Sequence, residues 1–482
     1  MNVIKTRVAI IGAGTAGLAA WRAARAHRQE VVLIEGGAYG TTCARVGCMP
    51  SKLLIAAADC AHQLERAPTF GIHPGQVQIR GREVMARVRD ERDRFVGLVN
   101  ASVESIPVEL RLRGRARFVD AHSLMVDDHT RIEADALVIA TGSRPSFPAD
   151  WRRLGDRLVV SDEVFEWQQL PGSVAVFGPG VIGLELGQAL HRLGVKSWMF
   201  GMGGQVGPLT DPEVMGYAAG CLRKAFFLDA DARIGRMERQ GQGVEIDFLD
   251  AEGVNQRIRV DYVLAATGRR PNVDGLGLER LGMALDDRGV PLADPYTLQT
   301  SLPHIFVAGD ASNQLPLLHE ANDQGRIAGD NAGRFPEVRA GLRHSRLSVV
   351  FTDPQLAMVG ADYRELERRY GGCDCFAIGR AAFEDQGRSR VMLRHQGLLR
   401  VYGEQGSGLF LGAEMMAPEA EHLAHLLAWA HQSRMTVAQM LAMPFYHPVV
   451  EEGLRTALRD LHARLHLGPA LGDRCMECGV GD

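Results

Sequence analysis

Two stretches of this 482-residue chain share one layout, and that duplication restricts the fold more than any other feature. In the first, a β-branched run (Val8, Ile10, Ile11) leads into Gly12-x-Gly14-x-x-Gly17 and an Ala-rich helical pattern. A second apolar run then ends at Glu35. In the second copy, Ser173–Phe177 leads into Gly178-x-Gly180-x-x-Gly183, again followed by a helical pattern. Each copy later reaches Ala-Thr-Gly, at Ala140-Thr141-Gly142 and Ala266-Thr267-Gly268. The chemistry behind the spacing is specific. The first glycine permits a tight turn, the second lets the backbone approach a pyrophosphate, and the third lets helix and strand pack closely. The helix N-terminus offers unpaired N–H groups to the phosphates, and an acid about 20 residues on, here Glu35, can accept from a ribose diol. One such motif can be an ordinary glycine turn. Two, each with strand, helix and Ala-Thr-Gly echo, predict two dinucleotide-binding units of α/β type.

From first glycine to threonine the first copy is 40 residues longer than the second, and the excess contains Cys43 and Cys48. Residues five apart on an ideal helix have Cα atoms roughly 8–9 Å apart. A disulfide needs less than about 7 Å. The pair can bond only if the helix is distorted, and Gly47 is where that could happen. A strained bond of this kind is easily reduced, whereas the bland alternative is two unrelated buried thiols. A helix start, Arg45 and Lys52 would favour thiolate over thiol.

Composition narrows the remaining classes. The net charge is −4 and the hydrophobic share 46%. No Lys/Arg-rich block suggests nucleic acid or an anionic membrane as partner, and no apolar run approaches the ~20 residues of a membrane span. The first apolar segment enters the Gly12 turn without a signal-peptide cleavage site. Eight cysteines in a chain of this length do not make a disulfide scaffold. We therefore expect a reducing cytoplasm in which any disulfide is catalytic. No zinc-type pair of CxxC motifs, and hence no metal site, is expected. Cys60 and Cys221 read as packing residues, and Cys373 and Cys375 as structural neighbours.

Three further signals follow. His304-Ile-Phe-Val-Ala-Gly-Asp310 reads as a strand with an acid at its carboxyl end, placed either to hold a sugar-like hydroxyl or merely to make a turn. Beyond about residue 341 the glycine pattern stops. A strand at 347–351, a helix at 362–369, a strand at 408–413 and amphipathic helices at 419–431 and 449–463 predict a separate α+β unit. Within it, His447-Pro-Val-Val-Glu-Glu452 reads either as a helix start capped by two acids, or as an imidazole with a carboxylate to orient it. The segment after 466 reads as a loose tail with Cys475-Met-Glu-Cys478, either an accessory dithiol or idle.

With these residues in view the chain resembles the flavoprotein disulfide reductases (class I pyridine nucleotide-disulfide oxidoreductases), most closely the dihydrolipoamide dehydrogenase family. The resemblance spans about 7–465 through GAGTAG, CARVGCMPSK, IATGSRP, GPGVIGLELG, AATGRRPN, VAGDASNQLPLLHEA, FTDPQLAMVG and FYHPVVEE. It implies an FAD-binding unit in 1–150 and 271–340, an NAD(P)-binding unit in 151–270, a dimerisation domain in 341–465 and a tail in 466–482. FAD would rest on Gly12, Gly14, Gly17, Glu35 and Asp310, and the nicotinamide nucleotide on Gly178, Gly180 and Gly183. Thr42, Lys52, Thr141, Gly142 and Gly268 would complete the cofactor contacts. Cys43 would exchange with substrate, Cys48 would face the flavin beside the Lys52–Glu185 pair, and His447 with Glu452 would serve as acid/base for the disulfide of the partner subunit in a homodimer.

Two departures from the family pattern stand out. Arg45 puts a charge between the cysteines. Strand Lys196–Phe200 ends in Gly201-Met202-Gly203-Gly204, with neither an acid for a ribose 2′-hydroxyl nor an arginine for a 2′-phosphate. NAD is favoured because a 2′-phosphate would lack a cationic partner. The functions in play are oxidation of a protein-bound dihydrolipoyl group with NAD, reduction of another disulfide or a metal ion by NAD(P)H, and a flavoprotein redox sensor.

Overall fold

The first β-branched run becomes strand Asn2–Ile11 at the centre of a seven-stranded sheet, in a computed structural model that describes residues 1–467. Val31–Glu35 flanks it on one side and Thr130–Ile139 on the other, both parallel to it. Val8, Ala9 and Ile10 are fully buried. An unbroken apolar run is what a parallel strand covered on both faces requires. The strand Ile305–Val307, whose end carries Asp310, joins this sheet beside Thr130–Ile139 although far away in sequence.

The second glycine motif follows Ser173–Phe177 in a parallel five-stranded sheet, ordered Phe227–Asp229, Lys196–Phe200, Ser173–Phe177, Tyr262–Ala265, Leu158–Val160. A three-stranded antiparallel sheet (Arg233–Gln240, Gly243–Leu249, Asn255–Val260) lies beside it. The C-terminal part is an antiparallel five-stranded sheet, from Leu347–Val350 through Phe376–Ala382, with helices Ala420–Gln432 and Glu452–Arg464 against it. The expected fold class, two dinucleotide-binding units and an α+β unit, is what the chain adopts.

Several expectations need correction. The last helix begins at Glu452, not 449, because the Glu452 carboxylate accepts the Val449 N–H at 3.3 Å and holds Pro448–Glu451 outside the helix. The strand expected at 408–413 is Phe410–Ala417, a fully buried run whose apolar residues sit on both faces. The helix at Tyr363–Tyr370 starts one residue late because Asp362 is its cap, accepting from the Glu365 N–H at 2.8 Å. Cys373 and Cys375 are bonded to each other in the loop before Phe376–Ala382, so a disulfide does occur outside the redox segment. Cys60 is exposed on its helix rather than packed. Cys475 and Cys478 lie outside the described residues.

The first sheet's helix, Thr15–Arg25, is crossed closely by helix Leu318–Arg334. A Cβ on Gly325 would stand 2.2 Å from the Ala16 carbonyl oxygen, and one on Gly329 would stand 2.1 Å from that of Ala20. Overpacking a contact of this kind costs about 1–3 kcal/mol. Gly329→Ala should therefore lower the melting temperature. Gly97→Ala should not, since Gly97 is an exposed helical glycine with nothing within 4 Å of an added Cβ and alanine is the better helix former. Thermal unfolding of both variants checks the pair.

Candidate active site

The five-residue spacing of the cysteines is accommodated by breaking the helix between them. Cys43 lies on a short helix, Thr42–Val46, and Cys48 opens the long helix Cys48–Arg66. At the break, an added Cβ on Gly47 would stand 3.1 Å from the Thr42 carbonyl oxygen and 3.3 Å from Cys43 Cα. The missing side chain thus lets the two segments fold together. Thr41 caps the short helix by accepting from the Ala44 N–H at 3.2 Å, and leaves Thr42 exposed on its first turn.

Both cysteines are free thiols, close enough for one to hydrogen bond to the other, and the bond divides them. The Cys43 hydrogen bond, helped by the Lys52 charge and opposed by burial, lowers Cys48 to about 7. The same bond, followed by burial, pushes Cys43 well above the ordinary thiol range. Arg45 takes no part. Its guanidinium donates to the Ala38 carbonyl at 3.2 Å, so the charge expected between the cysteines is turned away. Lys52, one helical turn beyond Cys48, donates to Glu185 Oε2 at 2.7 Å. Glu185 is only 4% exposed, and its other oxygen accepts the Phe351 N–H at 3.0 Å. The Phe351 ring lies 4.6 Å from the Lys52 ammonium. Phe351 was visible within FTDPQ but carried no chemical signature, because it acts through its N–H and ring face.

Cys43 opens onto a cavity of about 400 Å³ walled by Phe95, Leu98, Val99 and Leu318. His447 of the same chain is not among its lining residues. It is exposed, with Nδ1 3.1 Å from Glu452. This contact, then the Val449 N–H, holds Glu452 below the usual carboxylate range.

The two glycine turns can be tested for what they accommodate. An added Cβ on Gly12 would meet the Ala140 carbonyl oxygen at 2.3 Å, and one on Gly17 would meet that of Gly12 at 1.7 Å. Gly178 and Gly183 repeat this at 2.4 and 1.9 Å, against Ala266 and Gly178. Gly14 and Gly180 differ: no described atom lies within 4 Å of an added Cβ. The protein's own packing accounts for four glycines, while the middle one of each motif leaves open a cradle that a Cβ would fill, where a pyrophosphate needs the backbone close. Gly142 and Gly268, at the echoing Ala-Thr-Gly turns, face similarly open space. Beside Gly142, the buried Thr141 Oγ1 has no hydrogen-bond partner among the described residues. Glu35 accepts from the Ala13 N–H at 2.8 Å and the Gly37 N–H at 2.5 Å. Asp310 accepts from Ser143 Oγ at 2.6 Å, which in turn accepts from Arg269 Nε at 2.9 Å. These residues fit a dinucleotide cofactor in each unit. One expectation is overturned: a carboxylate does stand beside the Gly201–Gly204 turn, since Asp231 Oδ1 accepts the Gly203 N–H at 2.7 Å. Asp231 follows a different strand, so sequence order hid it.

Comparison with known proteins agrees with this geometry. Residues 6–325 match the pyridine nucleotide-disulphide oxidoreductase family, and residues 347–458 its dimerisation domain. The chain belongs to this family. Dihydrolipoyl dehydrogenase of Geobacillus stearothermophilus is 30% identical over 454 residues, 93% of this chain and 94% of the relative. Mercuric reductase of Shigella flexneri is 32% identical over 485 residues, 94% of this chain and 80% of the relative. The crystal structure of LpdA from Mycobacterium tuberculosis superposes with a TM-score of 0.80 at 26% identity, covering 94% of this chain and 99% of that one. The protein is an oxidoreductase acting on sulfur groups, with FAD and a nicotinamide nucleotide as cofactors. No helix among the described residues is long and apolar enough to cross a membrane.

In the two-electron-reduced holoprotein, the long-wavelength absorbance of a thiolate against flavin should titrate with a midpoint near pH 7 and vanish on acidification, since Cys48 is ionised only above it. Lys52→Met should move the midpoint upward, Arg45→Ala should leave it unchanged, and Cys48→Ser should abolish the band. Absorbance spectra across pH decide each case.

Proposed function

We propose that this protein oxidises a dihydrolipoyl group with NAD as acceptor, working as a homodimer in which His447 of each protomer serves the Cys43–Cys48 pair of the other. The observation that carries this reading is the exposed His447–Glu452 pair, which is built as an acid/base unit yet does not line the cavity of its own Cys43. Leu426, Trp429, Met443 and Tyr446 are exposed apolar residues of the same unit and fit a dimer face. We assign FAD to 1–150 with 271–340, the nicotinamide nucleotide to 151–270 and the dimer contact to 341–465.

The cycle starts from the oxidised Cys43–Cys48 pair. His447 takes a proton from one thiol of the substrate, and the thiolate attacks Cys43 Sγ. The Cys43–Cys48 bond breaks and Cys48 departs as the thiolate that Lys52 stabilises. His447 gives that first proton to solvent and takes the proton of the second substrate thiol. The resulting thiolate attacks the substrate sulfur of the mixed disulfide, closing the lipoyl ring and releasing Cys43, to which His447 returns the proton. Bound FAD would supply the two-electron relay from this dithiol to NAD⁺. Glu452 holds the imidazole in orientation and stabilises its protonated form.

A second reading has the electrons run from NAD(P)H to another disulfide or a metal ion. The 32% identity to a mercuric reductase favours it. Steady-state turnover separates the two. Dihydrolipoamide with NAD⁺ should be the productive pair, and His447→Gln should lower kcat about 10²–10⁴-fold, the usual range for lost general acid–base catalysis. Nucleotide-driven reduction of oxidised glutathione or Hg²⁺, with no turnover of dihydrolipoamide, would overturn the proposal.

A further inference from the structure

The duplicated units can be aligned through their backbone hydrogen bonds. The Gly12 N–H donates to the Ile34 carbonyl and the Gly178 N–H to the Phe200 carbonyl, both at 2.8 Å. Glu35 therefore corresponds to Gly201, Gly37 to Gly203 and Ala13 to Pro179. In the first unit the Glu35 carboxylate is held by the Ala13 and Gly37 N–H groups. In the second unit neither the acid nor the first donor exists, since proline has no N–H.

An acid could not simply be restored at Gly201. A Cβ there would meet the Ala230 carbonyl oxygen at 2.5 Å and Pro179 Cγ at 2.7 Å. The neighbouring strand has closed over the position. The Gly201 N–H donates to the Asp229 carbonyl at 2.7 Å, and the Ala232 N–H donates to the Gly201 carbonyl at 3.0 Å. That pairing brings Asp231 over the turn, where its Oδ1 accepts the Gly203 N–H at 2.7 Å. Gly203 is the counterpart of Gly37. The same backbone station thus holds a carboxylate in both units, supplied by Glu35 in one and by a residue from a different strand in the other. Asp231 is exposed, and its second oxygen is not used by this bond.

We infer that Asp231 is the ribose-reading acid of the second unit and sets its preference for NAD(H) over NADP(H), an inference that rests on this unit being the nicotinamide-nucleotide site. A free carboxylate oxygen can accept from a ribose 2′-hydroxyl, and it repels a 2′-phosphate at the same place. Hydrogen bonds to charged groups are strong enough that losing one weakens binding about tenfold or more.

The test is calorimetric binding of NAD⁺ and NADP⁺ to the FAD-loaded protein with no dithiol present. The wild-type protein should bind NAD⁺ more tightly. Asp231→Asn keeps an acceptor for the Gly203 N–H but loses the charge, so it should relieve the exclusion of NADP⁺ with the turn intact. Asp231→Ala should weaken NAD⁺ about tenfold or more and compress the NAD⁺/NADP⁺ ratio further. A wild-type preference for NADP⁺, or a ratio unchanged in both variants, would overturn the inference. Because no sulfur substrate enters the measurement, its outcome is independent of whether dihydrolipoamide is the natural donor.

Discussion

The Glu185 carboxylate is shared by three parts of the chain. Lys52 reaches it from the helix that carries Cys48, its own helix follows the second glycine turn, and the Phe351 N–H meets it from the start of the C-terminal sheet. A carboxylate this deeply buried is costly unless its oxygens are hydrogen bonded or paired with a cation, and Glu185 has both kinds of partner. Satisfying Glu185 therefore requires the redox segment, the second nucleotide unit and the C-terminal unit to come together. The ammonium that neutralises Glu185 also holds the Cys48 thiol down. Assembly of the fold and tuning of the sulfur depend on the same charge.

The division of labour between the cysteines follows from geometry rather than from their neighbours in sequence. A break at Gly47 lets one thiol bond to the other, and two identical side chains are driven in opposite directions. The sulfur beside Lys52 becomes the better leaving group, and the other faces an apolar cavity. Exchange rates depend on the acidity of the departing thiol, which supports the proposed attack on Cys43 with Cys48 departing.

Most of the architecture was legible because its determinants are local. Glycine turns, apolar runs and the broken helix at Gly47 each announce themselves within a few residues. What could not be read came from side chains that bond to loop and turn segments, near or far in sequence, where no periodicity shows their direction. Arg45 stands between the cysteines in the chain but bonds to Ala38. Asp231 is absent from the expected place after Phe200 and arrives from the next strand. The start of the last helix was displaced by one side chain, Glu452, reaching back to Val449. Cys373 and Cys375 close a bond in a loop that no periodicity marks.

The crossing of helices Thr15–Arg25 and Leu318–Arg334 bears on how a long ligand would be measured by this fold. Gly325, Gly329 and Gly333 meet Ala16, Ala20 and Ala24 in turn, with a repeat of four on both helices. Teeth of that pitch fix the register, because a slide by less than one turn would drive alanine methyls into backbone. The Gly12 turn leads into one helix, while Asp310 precedes the other, next to a glycine whose added Cβ would lie 2.8 Å from Ala16 Cβ. The small-residue seam therefore acts as a ruler. It pins the Gly12 turn against the segment that carries Asp310, so the two cannot shift apart and a ligand touching both meets one fixed spacing.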